Sequence, residues 1–276
     1  MRLNGSNKSV VNEPDKPVVR KKYKYTVISY IFNNYDQLHE VKCADNDVRY
    51  LLITDNKRLK SKTWEIHHYS EYECLQNLPD KWGIMYYIRF HPFEFCDTFV
   101  SIYLDASIAI KKSLDKLYMD FMSSNSEYGL SIHPYRNNVY DELNAWNKQR
   151  GLPMAEINAQ RKLFSKTGFS KLVLFQGGVL LRKKGRISEV IDGLTWHFLR
   201  LTGTAFCVAR IDQTILSYVI ATYMSNSKYF IFSQHLIQSS YLAWMKHGTK
   251  EQLVIDSRFQ IAPSVFGVKI NPYRIE

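Results

Sequence analysis

A single carboxylate at the end of an apolar run is the first feature of this chain that could do chemistry. The run SIYLDASI occupies residues 101–108 and is typical of a buried strand that ends at Asp105. An open α/β sheet binds its ligands beyond the carboxyl ends of its strands, so we expect Asp105 at that rim. A carboxylate there could hold a divalent cation. The pattern equally fits a turn residue or a helix cap after a core strand.

The second half of the chain holds two further pairs of interest. Asp212 and Gln213 begin a predicted helix, where Asp212 is a competent N-cap whose carboxylate could also open onto a cleft. Gly177 and Gly178 allow the main chain to approach another group closely, and a β-bulge is the alternative reading of the two glycines.

The segment between residues 131 and 142 offers one imidazole and two acids. His133 precedes a proline, which predicts extended backbone, and it is equally a substrate contact or a buried structural histidine. Asp141 and Glu142 are adjacent on a predicted helix and so face different directions. At most one of these two acids is therefore expected to point into a site.

Length and cysteine usage limit the classes of protein that this chain can belong to. Its 276 residues are enough to bury a sizeable core without disulfides or structural metals. Four scattered cysteines, without C-x-x-C pairing, argue against a zinc site and a disulfide framework, and they indicate a reducing, cytosolic setting. The start has no apolar signal region, and no stretch reaches the roughly eighteen apolar residues of a spanning helix. We therefore expect neither secretion by that route nor an integral membrane protein.

The formal charge of +11 favours anionic partners such as nucleic acid, acidic lipid surfaces or phosphorylated metabolites. Short basic clusters at residues 20–24, 57–62 and 182–186 hold part of this excess, and each is more typical of a solvated surface. We expect no nucleic-acid partner, because the aromatic residues lie inside apolar runs and no nucleic-acid module is visible. A Rossmann dehydrogenase is disfavoured because NNYD, and not G-x-G-x-x-G, follows the first strand.

Strands and helices alternate along the sequence, which predicts an α/β fold. The β-branched and aromatic runs predict strands at residues 25–32, 49–54, 63–69, 101–104, 172–175, 179–182 and 228–233. Helical spacing of apolar residues predicts helices at 81–93, 113–122, 137–150, 187–202 and 213–223. Continuous apolar strands with helices between them predict a mostly parallel central sheet flanked by helices. Residues 1–22 are polar and non-periodic and predict a flexible tail, followed by one domain at 23–276.

The order of the motifs resembles that of a known family. The motifs are FNNYD at 32–36, ITD at 53–55, YLDAS at 103–107, SIHPYR at 131–136 with YDE at 140–142, QGGVLLR at 176–182, and DQ at 212–213. Together they resemble GT-A-like glycosyltransferases of plant and bacterial polysaccharide synthesis, long catalogued as a domain of unknown function. The resemblance covers residues 25–250 and implies a single GT-A-like, Rossmann-like domain.

The later half is also similar to retaining glycosyltransferases related to glycogenin and to bacterial lipopolysaccharide galactosyltransferases. This resemblance implies that Asp212 lies near the anomeric centre or the sugar hydroxyls, with Gln213 beside it. It also implies that Gly177 and Gly178 allow the main chain to approach the donor or acceptor sugar. HGTK at residues 247–250 is a loose echo of the late His and Lys segment of those enzymes.

The resemblance implies a metal site with a departure from the usual pattern. The Asp-x-Asp motif of those enzymes is here Asp105-Ala106-Ser107, so a hydroxyl stands where a second carboxylate is normal. Asp105 and His247 would hold Mn²⁺ or Mg²⁺, at reduced affinity, and a metal-independent enzyme is the alternative.

Without a metal, basic side chains must supply the positive charge that a diphosphate needs. Arg136, Arg210 and Lys250 are the candidates, and a surface or helix-end role is the alternative for each of them. At the nucleotide end, Asp55 could accept a hydrogen bond from a uracil ring. Residues 33–36, which include Asn33 and Tyr35, could line the base or the ribose, with simple strand-end turns as the alternative.

These features predict transfer of a hexose from a nucleoside diphosphate sugar, with a UDP-sugar favoured, to a surface glycan such as capsule or lipopolysaccharide. Retention of the anomeric configuration is implied by the resemblance. The acceptor would be a glycan or a lipid-linked glycan, and the basic surface together with YLAWM at 241–245 suggests peripheral docking at the inner membrane face. A buried helix also accounts for YLAWM. A catalytically silent nucleotide- or glycan-binding relative is the alternative function.

Overall fold

The computed structural model describes residues 22–133, 136, 138–150, 154–165, 173–202, 212–224, 229–232 and 242–244. The elements of the first half are β1 Tyr25–Ile31, β2 Val48–Thr54, β3 Glu65–His68, α1 Glu73–Gln76, α2 Lys81–Phe90, β4 Val100–Leu104, β5 Ile108–Ile110 and α3 Asp115–Ser123. Short 3₁₀ helices occupy Tyr69–Glu71 and Pro92–Glu94. The predicted tail falls almost wholly on residues outside the described ones.

The second half continues the alternation with longer helices. Its elements are β6 Tyr128–Ile132, α4 Val139–Arg150, α5 Met154–Ser165, β7 Phe175–Lys183, α6 Arg186–Thr202, α7 Asp212–Tyr223, β8 Tyr229–Ile231 and β9 Leu242–Trp244. The predicted helices at 137–150, 187–202 and 213–223 are confirmed within a few residues. The strands β5, β6 and β9 and the helices α1 and α5 were not predicted as elements.

Seven strands form the central sheet in the order β3-β2-β1-β4-β7-β6-β8. Strands β3, β2, β1 and β4 are parallel neighbours, β7 is antiparallel to both β4 and β6, and β6 is parallel to β8. The predicted α/β class with a mostly parallel sheet is confirmed. Strand β4 is buried at every position, as its largely apolar sequence predicts.

Strand β7 is one continuous strand, and the predicted break at its two glycines is wrong. Backbone groups of β7 pair with β4 on one side and β6 on the other, so the glycines stay within the sheet. The pairing with β6 is nevertheless irregular here, because Gly129 pairs with Leu181 whereas Ser131 pairs with Gln176. This irregularity spans Gly177 and Gly178 and agrees with the β-bulge reading of the pair.

The antiparallel direction of β7 brings its beginning to the carboxyl end of β4. Leu104 pairs with Val179, and the Asp105 N–H donates to the Gly178 carbonyl at 2.9 Å. The start of α7 lies next to the same edge, since the Phe175 N–H donates to Ser217 Oγ at 2.9 Å. Segments from three distant parts of the sequence therefore meet where β4 ends.

Residues 242–244 form β9, which pairs antiparallel with β5 in a separate two-stranded sheet. The helical reading of YLAWM is wrong for these residues, and Leu242 and Ala243 are buried. Their side chains pack in the core and are therefore not offered to a membrane. Among the helices of the described residues, none has the length and apolar character needed to cross a bilayer.

Candidate active site

An open cavity of about 260 Å³ lies at the carboxyl ends of β1 and β4, beside the start of β7 and α7. This is the edge at which α/β sheets bind ligands. Its lining comprises Tyr30, Ile31, Phe32, Asn33, Tyr35, Asp36, Trp82, Met85, Tyr86, Arg89, Asp105, Ala106, His133, Gln176, Gly178, Asp212 and Gln213. Carboxylates, a guanidinium, amides and aromatic rings thus share one cavity.

Arg89 occupies the centre of the polar part of this cavity. Its Nη2 donates to Asp105 Oδ1 at 2.6 Å, and its Nη1 forms an ion pair with Asp212 Oδ2. Nη2 also lies 2.9 Å from the Tyr30 hydroxyl and 3.0 Å from the Tyr103 hydroxyl. The Arg89 side chain is only 8% exposed, so its charge interacts with both carboxylates in a poorly solvated environment.

The groups around Arg89 keep its guanidinium protonated. Burial acts to lower the pKa of Arg89, but the Asp105 carboxylate and the surrounding tyrosines raise that pKa well above its ordinary value. The rings of Tyr103 and Tyr86 lie 4.9 and 5.9 Å from the guanidinium carbon, within the range of cation–π attraction. Two carboxylates and one guanidinium leave a formal charge of −1 on the cluster.

Helix α2 places Arg89 in the cavity by simple periodicity. Trp82, Met85, Tyr86 and Arg89 follow the i, i+3, i+4, i+7 pattern, and all four line the cavity. Asp80 caps the helix by accepting from the Gly83 N–H at 2.7 Å, which sets the start of that pattern. Arg89 was not predicted as a site residue. The available signal was a cation that continues the face formed by Trp82, Met85 and Tyr86.

The main chain around Asp105 is held on both sides. Its N–H donates to Gly178, and its carbonyl accepts from the Ile108 N–H at 2.8 Å. The carboxylate uses Oδ1 for Arg89 and for the Tyr103 hydroxyl, which donates at 2.6 Å. The Asp105 side chain is 32% exposed, so this carboxylate is partly accessible to a ligand.

Both glycines of β7 lie so close to the two carboxylates that a side chain at either position would force the neighbouring carboxylate to move. A Cβ at Gly178 would lie 2.8 Å from Asp105 Oδ2, and a Cβ at Gly177 would lie 2.9 Å from Asp212 Oδ2. Close approach was predicted for this pair, but the groups approached are the acids. Because glycine has no Cβ, the two carboxylates have room to contact Arg89.

Asp212 and Gln213 both line the cavity from the first turn of α7, where they were predicted to open onto a cleft. Asp212 is buried and paired with Arg89, whereas Gln213 Oε1 accepts from the Gly177 N–H at 3.2 Å. Their assignment as catalytic residues stays a prediction.

Asn33 and Tyr35 line the end of the cavity that follows β1. Asn33 and Asn34 both have left-handed backbone, with φ of 55° and 50°, in the turn predicted for this strand end. Asp55 Oδ1 accepts from the Asn33 N–H at 3.1 Å, and Lys81 donates to both Asn33 Oδ1 and Asp55 Oδ2. Asp55 thus supports Asn33, and Lys81 was missed by sequence reasoning.

His133 lines the cavity, whereas Arg136 is not among the lining residues. Burial, and then the positive charge of Arg136, lower the pKa of His133 to about 3, so its imidazole is neutral at pH 7. Arg136 forms an ion pair with Glu142, which is fully buried, while Asp141 is exposed. The prediction that these two acids face different directions is confirmed.

The described residues hold no group of three His, Cys, Asp or Glu side chains that could bind a metal ion. They offer the partly exposed carboxylate of Asp105, with the buried Ser107 two residues further on. Such a set fits a Mg²⁺ or Mn²⁺ ion only if substrate phosphates and water supply most of its ligands. The predicted ligand His247 and the cations Arg210 and Lys250 lie outside the described residues.

No protein-family model and no curated protein matches this chain. Its fold is similar to solved glycosyltransferase structures at low identity. Mouse xyloside xylosyltransferase 1 is 10% identical, with a TM-score of 0.45 over 75% of this chain and 84% of that one. The bifunctional glycosyltransferase WbbM is 11% identical, with a TM-score of 0.45 over 79% of this chain and 40% of that one.

GlyE of Streptococcus pneumoniae is 12% identical, with a TM-score of 0.41 over 79% of this chain and 47% of that one. This chain therefore spans less than half the length of WbbM and of GlyE. Every one of these TM-scores is below 0.5, so these similarities carry no argument about the function of this chain.

Proposed function

We propose that this chain is a glycosyltransferase that moves a hexose from a nucleoside diphosphate sugar, preferably a UDP-sugar, to a surface glycan. The observation that carries the proposal is the cluster of partly exposed Asp105 with buried Arg89 and Asp212 at the ligand-binding edge of the sheet. A capsule or lipopolysaccharide acceptor, free or lipid-linked, and retention of configuration are parts of the same proposal.

The chemistry of glycosyl transfer matches this cluster. Cleavage of the bond between the anomeric carbon and the diphosphate oxygen develops positive charge on the sugar ring and negative charge on the leaving group. A carboxylate of Asp212, held still by Arg89, can stabilise the positive ring from a poorly solvated position. Gln213 beside it offers an amide for the sugar hydroxyls.

The opposite end of the cavity suits a nucleoside. Asn33 is held rigid by Asp55 and Lys81, and its neighbours in the lining include the aromatic side chains of Tyr35 and Trp82. Flat aromatic surfaces beside an amide are the kind of lining that orients a small, planar ligand. We place the base and ribose here and the diphosphate between this end and Asp105.

The net negative charge of the central cluster means that a diphosphate needs a further cation. We propose that Mn²⁺ or Mg²⁺ meets this need, held by Asp105, with Ser107 and the predicted ligand His247 as its other protein groups. When bound, such an ion would neutralise charge on the leaving diphosphate. Lys250 is proposed as a further phosphate contact.

The cellular setting is also a proposal. A cytoplasmic enzyme with peripheral contact at the inner membrane face would meet a lipid-linked acceptor. The exposed basic run at residues 57–62 begins shortly after β2, whose carboxyl end lies at the same sheet edge as the cavity. Basic side chains near an anionic membrane contribute roughly 1 kcal/mol each to binding. Nucleic acid is not proposed as a partner.

A silent nucleotide- or glycan-binding relative is the second candidate. It is favoured by Ser107, which replaces an acid in the implied metal motif, and by the engagement of Asp105 Oδ1 with Arg89. Such a protein would bind the same ligands without turning them over.

Thermal-shift measurements against UDP, GDP, CMP and UDP-sugars, each with Mn²⁺, Mg²⁺ or EDTA, test the proposal first, because a ligand of the native state raises the melting temperature. A shift with UDP that requires Mn²⁺ supports a uridine donor and the Asp105 metal site. A thermal shift that is the same in EDTA overturns the proposed metal site but leaves the nucleotide donor supported. No shift with any nucleotide overturns the donor class.

Turnover of the shifting UDP-sugar then separates the two candidates. Hydrolysis or transfer that is lost in both Asp105→Asn and Asp212→Asn supports the enzyme, whereas binding without turnover supports the silent relative. Proton NMR of fresh product reports the anomeric configuration, and an inverted product overturns retention.

A further inference from the structure

We infer that Glu142 is a positioning residue that sets the orientation of the Gln213 side-chain amide. The inference deepens the proposed function, since Gln213 belongs to the proposed reacting pair. Glu142 itself does not line the cavity. It lies on α4, one helix away from the site, and its side chain is fully buried.

Two contacts connect Glu142 to the site. Its Oε2 forms an ion pair with Arg136 Nη1, and its Oε1 lies 3.5 Å from Gln213 Nε2. On the opposite side, Gln213 Oε1 accepts from the Gly177 N–H at 3.2 Å. The Gln213 amide is therefore placed between a carboxylate on α4 and a backbone N–H on β7.

These two neighbours distinguish the two ends of the amide. A carboxylate only accepts hydrogen bonds and a backbone N–H only donates them, so the amide NH₂ must face Glu142 and the carbonyl must face Gly177. The reversed amide would set two oxygens against each other at Glu142 and two donors against each other at Gly177. The orientation of Gln213 thus follows from its partners, and it determines which polar atoms the cavity receives.

Arg136 makes this arrangement possible by compensating the charge of Glu142. A buried carboxylate without a cation would be strongly destabilised. Arg136 was predicted to contact phosphate, but its guanidinium is already used by Glu142. Arg136 therefore acts on the site through Glu142 and Gln213.

The first test compares the side-chain NMR signals of Gln213 in the wild-type protein and in Glu142→Gln. These signals are assigned as the ones that are missing from the spectrum of Gln213→Ala. In Glu142→Gln, the new side chain has one oxygen and one NH₂ group. Because the oxygen stays with Arg136, the NH₂ group faces Gln213 in place of the carboxylate oxygen. We expect the Gln213 ¹H–¹⁵N side-chain signals to shift in Glu142→Gln. Asp141→Asn is the matched control, since Asp141 is the exposed acid beside Glu142 on the same helix, and its variant should leave those signals unchanged.

Kinetics supply the second test. Glu142→Gln should lower kcat at least tenfold while the donor KM changes less than about twofold, and Glu142→Gln combined with Gln213→Ala should be no slower than Gln213→Ala alone. Losses that multiply in the double variant would overturn the inference, as would unshifted Gln213 signals. If the wild-type protein shows no turnover, the proposed function fails while the NMR test still decides the role of Glu142.

A second variant covers the case in which Glu142→Gln does not fold. Glu142→Asp keeps the negative charge for Arg136 but withdraws the carboxylate from Gln213 by about 1.5 Å, one carbon–carbon bond. The same shift of the Gln213 signals is expected, and unchanged signals in this folded variant would overturn the inference.

Discussion

Arg89 on α2 and Asp212 at the start of α7 form a buried ion pair that joins two distant parts of the chain. The same guanidinium also holds Asp105, which follows β4. One side chain therefore fixes the relative positions of the carboxylate at the proposed metal end and the carboxylate at the proposed reacting end. Its removal should affect both stability and chemistry.

Replacing Arg89 by Gln should abolish most of the activity and destabilise the fold. Loss of Arg89 leaves the buried Asp212 carboxylate uncompensated, which typically costs about 3–5 kcal/mol in free energy of unfolding. We expect turnover to fall about 100-fold or more, because two groups of the site lose their anchor. Urea unfolding and initial rates with a UDP-sugar measure the two effects.

Lys116→Gln is the matched control for Arg89→Gln. Lys116 pairs with Asp120 in an exposed i,i+4 ion pair, so its loss should cost no more than about 1 kcal/mol and leave turnover unchanged. An Arg89→Gln protein as stable and as active as Lys116→Gln would contradict the central role of Arg89.

Gly178→Ala should impair the site because its Cβ would lie 2.8 Å from Asp105 Oδ2. The carboxylate must then move away from Arg89 or from the space proposed for the metal. We expect at least a tenfold loss of turnover and weaker Mn²⁺ dependence of the thermal shift. Gly193→Ala is the control, since a Cβ there meets nothing within 4 Å, and alanine stabilises a helix interior by roughly 0.5–1 kcal/mol. Equal activity of the two variants would refute this reading.

Tyr86→Phe should weaken donor binding without destabilising the free protein. The Tyr86 hydroxyl is buried at the cavity without a hydrogen-bond partner among the described residues, so its removal should not lower the melting temperature. If that hydroxyl binds the donor, UDP-sugar affinity should fall by about threefold to tenfold, the value of one neutral hydrogen bond. Calorimetric titration checks the second effect. Unchanged donor affinity would show that the hydroxyl makes no contact with the donor.

His133 should make the protein less stable in mild acid. The pKa of His133 is lowered to about 3 in the folded protein, against about 6.5 for an unperturbed histidine. Between these two pH values the imidazole is protonated in the unfolded chain and neutral in the folded protein, so acid favours unfolding. The contribution of His133 to the free energy of unfolding is fully present above pH 6.5, and it falls by up to about 1.4 kcal/mol per pH unit below that pH. Unfolding of His133→Gln between pH 5 and 7.5 should lack this contribution. An imidazole NMR signal of His133 that titrates near pH 6.5 would contradict the prediction.

The elements of the fold were predictable because their signals are local. The β-branched run that forms β1 and the helical spacing that forms α2 are properties of short segments, and both elements lie where the periodicity predicts them. Asp105 and Asn33 were expected at the sheet edge because parallel strands bring their carboxyl ends, and the turns that follow, to one edge, and Asp212 was expected at a cleft because it begins a helix. The cavity contains all three.

The remaining features depend on pairing between distant segments, which local periodicity does not encode. The direction of β7 follows from its hydrogen bonds to β4 and β6, and only that direction brings Gly178 against Asp105. Arg89 reads in the sequence as one more polar residue on an amphipathic helix, and it becomes central only because two acids from other elements meet it. The sequence by itself determined which carboxylates reach the sheet edge. The tertiary structure alone decided which cation they share, because a buried charge takes its partner from whatever folding places beside it.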